Sequence, residues 1–158
     1  MRVAADFLTS ALCVVLLAFF AKAYMCPAPT TVTPPQQSMQ IDETVANFSE
    51  ASQTLIVALR SDCRYCQESM PFYRRLLNGD RRDMQIVVAA SPGDTGIINY
   101  LASEGVKPDS IVLVEPYALP VSGTPTLLLV DSEGLVTHAW MGLLDADREA
   151  EVVTTIFE

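Results

Sequence analysis

Two cysteines separated by two residues, Cys63 and Cys66, are the part of this chain best suited to carry chemistry. They lie where an apolar run of strand length, Thr54 to Leu59, gives way to a helical pattern that starts at Arg64. Amide groups and the dipole at a helix N-terminus stabilise an anion, so a thiol placed there has a lowered pKa and reacts as a thiolate. Cys63, at the exposed tip, can then attack a disulfide of another protein. Cys66, on the buried stripe of the helix, can resolve the mixed disulfide.

The neighbours of the pair act in opposite directions. The positive charge of Arg64 favours the Cys63 thiolate, whereas the negative charge of Asp62 opposes it, and the sequence does not decide between them. Tyr65 lies between the cysteines, where it either shapes the contact with a substrate or covers the disulfide.

Two other uses of such a pair fit less well. A zinc site needs four ligands, but the chain has one histidine, His138, and its other cysteines, Cys13 and Cys26, lie in or beside an N-terminal apolar segment. We therefore predict no metal site. A purely structural disulfide across a spacing of three residues closes almost no chain, and so would stabilise the fold little.

A second motif lies about sixty residues further along, where Gly123-Thr124-Pro125-Thr126 leads directly into the apolar run Leu127 to Val130. A proline at the start of a strand cannot donate a hydrogen bond to the sheet, so it marks an edge, a bulge or a cis peptide bond. This signal is moderately specific alone. In combination with the upstream unit of strand, Cys-x-x-Cys motif and helix, the signal becomes strong and indicates that both motifs belong to one functional site.

The spacing of apolar residues from Ile41 onward predicts alternating helices and strands around these motifs. Such an alternation is typical of an α/β fold with a central mixed sheet and helices on both faces. Asp94 is predicted to be the N-cap of the third helix. The predicted helices are 43–51, 64–77, 97–103 and a last one from Asp145, and the predicted strands are 54–59, 84–90, 111–114, 126–130 and 135–141.

The N-terminus has the features of a targeting segment. Phe7 to Ala21 is a run of fifteen uncharged residues, preceded by Arg2 and followed by Lys22. That length lies between a signal-peptide core and a spanning helix, while Ala21-Lys22-Ala23 supplies a cleavage pattern. The pattern favours a cleaved signal peptide over an uncleaved membrane anchor. Under either interpretation the rest of the chain is exported.

The chain is thus predicted to have three parts: a signal peptide or anchor over 1–23, a linker rich in Pro, Thr and Gln over 24–40, and one folded domain over 41–158. The 10 basic and 19 acidic residues give a net charge of −9. That balance argues against nucleic-acid binding, which needs a basic surface. It also argues against binding of the domain to an anionic membrane surface.

Residues 41–158 resemble the thioredoxin superfamily, most of all the exported or membrane-anchored TlpA-like thiol–disulfide oxidoreductases. The resemblance implies the thioredoxin fold, a cis Thr124–Pro125 peptide beside the motif, a nucleophilic Cys63 and a resolving Cys66. It also implies that the backbone before Pro125 pairs with a bound substrate strand. We predict substrate contacts at Gly123, Thr124, Pro125, Arg64 and Tyr65. The matching residues are Cys63-Arg64-Tyr65-Cys66, Pro71, Gly123-Thr124-Pro125-Thr126 and Asp131-Ser132-Glu133-Gly134.

The chain departs from the superfamily's pattern in three places. Ser61 and Asp62 stand where a tryptophan commonly precedes the motif. Val57 stands where thioredoxins carry a buried acid, and Ser69 where TlpA-like proteins usually carry a glutamate, with Glu68 one position early. A proton acceptor for Cys66 is therefore not evident.

The resulting hypothesis is an exported oxidoreductase that exchanges thiols and disulfides, with reduction as the direction favoured by analogy. It would need no cofactor beyond a redox-active Cys63–Cys66 disulfide. Its expected partners are exported proteins with cysteines and a membrane or periplasmic thiol donor, and its expected location is the bacterial periplasm or the outer face of the inner membrane. The alternatives are a redox-inert binding module with the thioredoxin fold and a peroxiredoxin-type peroxidase. The latter would need a Thr/Ser-x-x-Cys pattern, which Cys63 and Cys66 fit worse.

Overall fold

The computed structural model describes residues 39–79, 81, 83–115 and 118–157. The predicted signal or anchor segment, 1–23, and nearly all of the predicted linker, 24–40, lie outside the described residues. Within the described ranges, none of the helices combines the length and the hydropathy that crossing a membrane requires.

A mixed sheet forms the centre of the described domain. Its order is β3-β2-β1-β4-β5, so β1 is the middle strand. The pairs β1–β2 and β2–β3 are parallel, whereas β1–β4 and β4–β5 are antiparallel. Continuous burial along β1 and β4 explains their unbroken apolar sequences. The strands are β1 (Gln53–Ala58), β2 (Met84–Ala90), β3 (Ser110–Leu113), β4 (Thr126–Asp131) and β5 (Val136–Met141).

Helices follow β1, β2 and β5 along the chain. The helices α1 and α2 each connect two parallel strands, as expected for crossover connections. The predicted strands and these three helices agree with the structure to within one residue at the predicted boundaries, the usual uncertainty of such boundaries. The helices are α1 (Arg64–Leu77), α2 (Ile97–Ser103) and α3 (Ala146–Phe157).

The two faces of the sheet are covered differently. On one face, buried side chains of all three α-helices pack with the strand residues Leu55, Val57 and Leu127 in a single apolar cluster. On the other face, Ile56 and Leu128 pack against the segment 41–48 and the loop that precedes β4. Helical residues therefore lie on both faces, as predicted, but the second face has only a short 3-10 helix, Phe48–Glu50.

The predicted first helix, 43–51, was wrong, because only that 3-10 helix forms there. Side chains compete with the helix for backbone amides. Asp42 accepts a hydrogen bond from the Thr44 amide at 2.8 Å, and Asn47 accepts one from the Ser49 amide at 3.4 Å. Such local bonds favour turns over helix. The apolar residues Val45 and Phe48 are still buried, so the pattern identified the inward side of this segment correctly.

Candidate active site

The sheet register brings the two motifs to one edge of the molecule. Ala58, the last residue of β1, pairs with Thr126, the first residue of the antiparallel strand β4. The chain leaving β1 towards Cys63 therefore runs beside the chain that enters β4 through Pro125. The carboxyl ends of the parallel strands β2 and β3 lie at this same edge, where α/β sheets commonly bind ligands.

Cys63 is the N-cap residue of α1. Its Sγ accepts a hydrogen bond from the Cys66 amide at 3.3 Å, and the Cys63 thiol donates to the Thr124 carbonyl at 3.4 Å. An N-cap side chain faces the unpaired amides of the first helical turn. The sulfur thus lies where backbone dipoles favour a negative charge, and it contacts the second motif directly.

The pKa of Cys63 is lowered. Partial burial alone would raise it, but hydrogen bonds from the side chains of Cys66 and Thr124 and from the amides of Cys66 and Tyr65 together outweigh that effect. The sulfur is also partly exposed. A partly exposed thiol with a lowered pKa is suited to attack a disulfide.

Cys66 has the opposite surroundings. It is fully buried among apolar side chains, including Met70 and Tyr73, on the inner side of α1. Burial, together with the hydrogen bond to Cys63, raises the pKa of Cys66 to about 12. Both cysteines are free thiols in this structure, and Cys66 is protonated at neutral pH.

The Thr124–Pro125 peptide bond is cis. Hydrogen bonds hold this segment on both sides: the Thr126 hydroxyl donates to the Gly123 carbonyl at 2.8 Å, and the Gly142 amide donates to the Pro125 carbonyl at 2.8 Å. Pro125 itself is buried, whereas Gly123 is exposed. The exposed backbone before the proline lies next to Cys63 and is accessible to another chain.

The charges around the pair compensate each other. Asp62 forms two hydrogen bonds with the Arg60 guanidinium, at 2.8 and 3.0 Å, and Arg64 pairs with Glu68 at 2.7 Å. Sequence reasoning set Arg64 against Asp62 and did not foresee that each has its own partner. Arg60 is the cation that interacts with the charge of Cys63. The lowered pKa of Cys63 thus comes from hydrogen bonds.

The other two predicted substrate contacts, Arg64 and Tyr65, lie in the first turn of α1. The side chain of Arg64 is 84% exposed, and Tyr65 is 56% exposed. The structure therefore places both on the surface, in the helical turn that begins after Cys63, while Thr124 contacts the Cys63 sulfur directly.

The positions that could hold a proton acceptor for Cys66 do not supply one. Val57 is apolar and fully buried, and the Ser69 hydroxyl donates to the Tyr65 carbonyl at 2.8 Å. Glu68 is bound to Arg64. Among the described residues, no group of three or more His, Cys, Asp or Glu side chains could hold a metal ion.

A cleft of about 560 Å³ opens beside the pair, between the loops that follow β1, β2 and β3. Arg60, Asp94, Glu115 and Thr124 are among its lining residues. No local sequence pattern predicts this cleft, because residues from four separate segments form it.

Asp94 does not have its predicted role. The N-cap of α2 is Gly96, which makes no side-chain capping bond, and the Asp94 carboxylate binds Ser61 instead. Sequence analysis also missed Ser61, because a bond between residues 33 positions apart leaves no local pattern.

Several solved structures with a similar fold are described as thiol–disulfide oxidoreductases or interchange proteins. The thioredoxin domain of a thiol-disulfide oxidoreductase from Bacteroides vulgatus has a TM-score of 0.57 and 14% identity, covering 81% of this chain and 100% of that chain. A thiol:disulfide interchange protein of the thioredoxin family from Chlorobium tepidum TLS has a TM-score of 0.54 and 16% identity, with coverages of 82% and 97%. A DsbF homologue from Corynebacterium diphtheriae has a TM-score of 0.56 and 11% identity, with the same coverages.

No family model matches the chain, and no curated protein matches it in sequence. At these low identities the likeness is one of fold, and it identifies the described domain as an α/β domain with the thioredoxin fold. The predicted fold class is thereby confirmed.

Proposed function

We propose that this protein is a thiol–disulfide oxidoreductase that uses Cys63 and Cys66 to exchange disulfides with cysteines of exported proteins. One observation carries the proposal: a partly exposed thiol with a lowered pKa lies at the start of α1, next to a buried thiol whose pKa is raised to about 12. This asymmetry is what a nucleophile and a resolving thiol require. The descriptions of structures with the same fold support the same chemistry.

In the first step, the Cys63 thiolate attacks one sulfur of a substrate disulfide. A new S–S bond joins Cys63 to the substrate, the substrate's own S–S bond breaks, and its second sulfur leaves as a thiolate that takes a proton from water. Because the pKa of Cys63 is lowered, a larger fraction of this thiol is present as the attacking thiolate at neutral pH.

In the second step, Cys66 loses its proton to water, and the resulting thiolate attacks the Cys63 sulfur. The Cys63–Cys66 disulfide forms, the mixed disulfide breaks, and the substrate leaves with its second thiol. Two electrons have passed from the pair to the substrate, so a dithiol donor must reduce the pair before the next cycle. The pair itself is the only redox group that this scheme needs.

The substrate chain is proposed to lie along the exposed backbone of Gly123 and Thr124. The Thr124 carbonyl already contacts the Cys63 sulfur, so a strand paired there would present its own sulfur to the nucleophile. Arg64 and Tyr65, exposed in the first turn of α1, would contact the same chain. Pro125, buried beneath, fixes the shape of this surface.

Reduction is the proposed direction, and the extracytoplasmic side of a bacterial membrane the proposed location. The uncharged segment Phe7 to Ala21 supports export, because it has the composition of a signal core or an anchor. Such compartments are oxidising, which gives a reductase its substrates and makes a membrane or periplasmic thiol donor necessary.

The test is reduction of insulin disulfides by the purified full chain with dithiothreitol as the donor. We expect Cys63→Ser to lower turnover at least about 100-fold, because a hydroxyl cannot replace a thiolate in disulfide exchange. Cys66→Ser should instead accumulate a mixed disulfide with the substrate, visible as an added mass on the Cys63 peptide.

The matched control replaces the two cysteines outside the motif, Cys13→Ser and Cys26→Ser, and should keep full turnover. Undiminished turnover in Cys63→Ser would overturn the proposed function. The direction is tested by equilibrating the pair with glutathione buffers: a potential below that of glutathione supports a reductase, and a potential above it makes the protein an oxidant or isomerase.

A further inference from the structure

Asp94, in the loop between β2 and α2, holds the loop that carries the nucleophile. Its carboxylate accepts two hydrogen bonds from Ser61, one from the amide at 2.7 Å and one from the hydroxyl at 2.5 Å. Both bonds are partly buried. Hydrogen bonds that a carboxylate accepts are charge-assisted, and such bonds are among the stronger ones in proteins.

Asp94 is itself fixed by its own loop. Its amide donates to the Ser91 carbonyl at 2.9 Å, and its carboxylate also accepts a hydrogen bond from the Gly96 amide. The carboxylate therefore has a defined position before Ser61 binds to it. This favours one placement of Ser61 over others.

The third member of this contact is Gly96. A Cβ atom at this position would lie 3.0 Å from the Ser61 hydroxyl oxygen, closer than side chains normally approach. The backbone of Gly96 has φ −86° and ψ −14°, which any residue can adopt. Glycine at this position leaves room for the Ser61 side chain, which would have to move by a few tenths of an ångström to accommodate a Cβ atom.

A short path of hydrogen bonds connects Ser61 with Cys63. The Cys63 amide donates to the Arg60 carbonyl at 3.3 Å, which closes a tight turn around Ser61. The Gln67 side chain donates to the Ser61 carbonyl at 3.3 Å, and the Gln67 amide donates to the Cys63 carbonyl at 3.1 Å. Ser61 is thus held by Asp94 on one side and by α1 on the other.

We propose that Asp94 is a positioning residue for Cys63: by fixing Ser61, with the space left by Gly96, it keeps the Cys63 sulfur at the start of α1, where the amides and Thr124 reach it. The role of Cys63 as nucleophile rests on the proposed function. The positioning itself is a statement about the Cys63 thiol and is measurable without any substrate protein.

The test is the pH profile of iodoacetamide alkylation at Cys63 in the full chain with Cys13→Ser and Cys26→Ser, followed by mass of the Cys63 peptide. Asp94→Asn has nearly the same shape, but loses one acceptor and the charge. If Asp94 positions Cys63, its loss weakens the hydrogen bonds to the thiolate, and the pKa of Cys63 rises. We expect alkylation at neutral pH to slow about threefold to tenfold.

The direction in which the pKa of Cys63 changes distinguishes positioning by hydrogen bonds from a simple effect of charge. Removing a negative charge near a thiolate should by itself lower the pKa of Cys63 and speed alkylation. Ser61→Ala removes only the hydroxyl bond and Gly96→Ala displaces Ser61, so both should raise the pKa of Cys63 by less than Asp94→Asn does. If Asp94→Asn does not fold, these two milder variants decide the question.

The matched control is Asp109→Asn, at the opposite edge of the same sheet. Asp109 accepts a backbone hydrogen bond from the Ile86 amide at 2.7 Å, so its loss should destabilise the fold without changing the pKa of Cys63. An unchanged or faster alkylation in Asp94→Asn would overturn the proposal, while insulin reduction that depends on Cys63 would leave the proposed function standing. Conversely, a slowed alkylation in a chain that reduces no disulfide would support positioning and overturn the function.

Discussion

The region around Cys63 is polar and partly open, whereas the region around Cys66, one helical turn further on, is apolar and closed. Around Cys63, the loop after β1 meets the segment before β4, and the sulfur has hydrogen bonds to the Cys66 amide and the Thr124 carbonyl. Around Cys66, side chains of α1 and the sheet exclude water. The first region lowers the pKa of its thiol and the second raises it.

The difference shows how one helix turn can hold two thiols with opposite pKa shifts, mainly through hydrogen bonding and burial. The exposed ions of this edge are paired, Arg60 with Asp62 and Arg64 with Glu68. Both sulfurs have hydrogen bonds that lower the pKa, but burial outweighs them at Cys66 and does not at Cys63. The main difference between the two sulfurs is therefore how far each is withdrawn from water.

The largest expected effect tests the closed region around Cys66. Burial is the main cause of its raised pKa, and we expect that burial to persist when Cys63 is in a mixed disulfide. The thiolate fraction of Cys66, and with it the rate of the second step, should therefore rise about tenfold per pH unit between about pH 6 and pH 9. A Cys63 mixed disulfide with thionitrobenzoate, prepared at low pH, reports this rate through release of the coloured thiol.

Cys66→Ser is the control, because it should release no second thiol at any pH in this range. A rate that stays constant between pH 6 and pH 9 would contradict the contrast between the two regions. It would mean that Cys66 is already ionised or receives a base that the packing around it does not supply.

A smaller effect is expected from the ion pair beside Cys63. Arg60→Gln leaves Asp62 unpaired, so the pKa of Cys63 should rise, whereas Asp62→Asn frees Arg60 and should lower that pKa. Both side chains are more than half exposed, at 55% and 68%, so water and salt screen them. Shifts of about half a pKa unit or less are expected, measured by alkylation of Cys63 at low ionic strength.

Arg64→Gln is the matched control, since Arg64 carries the same charge but is held by Glu68. Its effect on the pKa of Cys63 should be smaller than that of Arg60→Gln, and 1 M salt should remove most of the difference. A larger effect of Arg64→Gln would mean that free charge, and not hydrogen bonding, distinguishes the region around Cys63.

Much of this arrangement could be predicted from the sequence because its signals are local. Continuous apolar runs identified the buried strands, and 3.6-residue spacing identified α1, with Cys66 on its inner stripe. The position of Cys63 immediately before that helix followed from the same pattern. The meeting of Cys63 with Thr124 followed only from the resemblance to thioredoxins, since no local pattern connects two motifs so far apart.

The remaining features depend on which partner each polar side chain binds, and the sequence pattern does not encode this. The pairing of Arg60 with Asp62 depends on the rotamers of both side chains, which no sequence pattern encodes. Asp94 has the sequence features of an N-cap, yet its carboxylate accepts a hydrogen bond from Ser61, which is distant in the sequence. In the segment 43–51, side-chain bonds to the backbone outcompeted the helix that apolar spacing favoured.

The smallest expected effect compares two tyrosines on the helical face. The Tyr100 hydroxyl is buried and has no hydrogen-bond partner among the described residues, whereas the Tyr73 hydroxyl bonds with Ser69. Removing an unpaired buried hydroxyl should cost nothing, so Tyr100→Phe should leave the free energy of unfolding unchanged or slightly higher. Tyr73→Phe should lower it by about 1 kcal/mol. Urea unfolding of the reduced chains measures both.

The same two tyrosines also test whether the surroundings of Cys66 are purely apolar, in contrast to those of Cys63. Tyr100 and Tyr73 both lie close enough to interact with the charge of Cys66. If packing alone keeps Cys66 protonated, Tyr100→Phe should leave the pH profile of the second step where it was, because no hydrogen bond has been lost. A slower second step in Tyr100→Phe, at unchanged stability, would instead show that this hydroxyl donates to the Cys66 thiolate, and the region around Cys66 would no longer count as purely apolar.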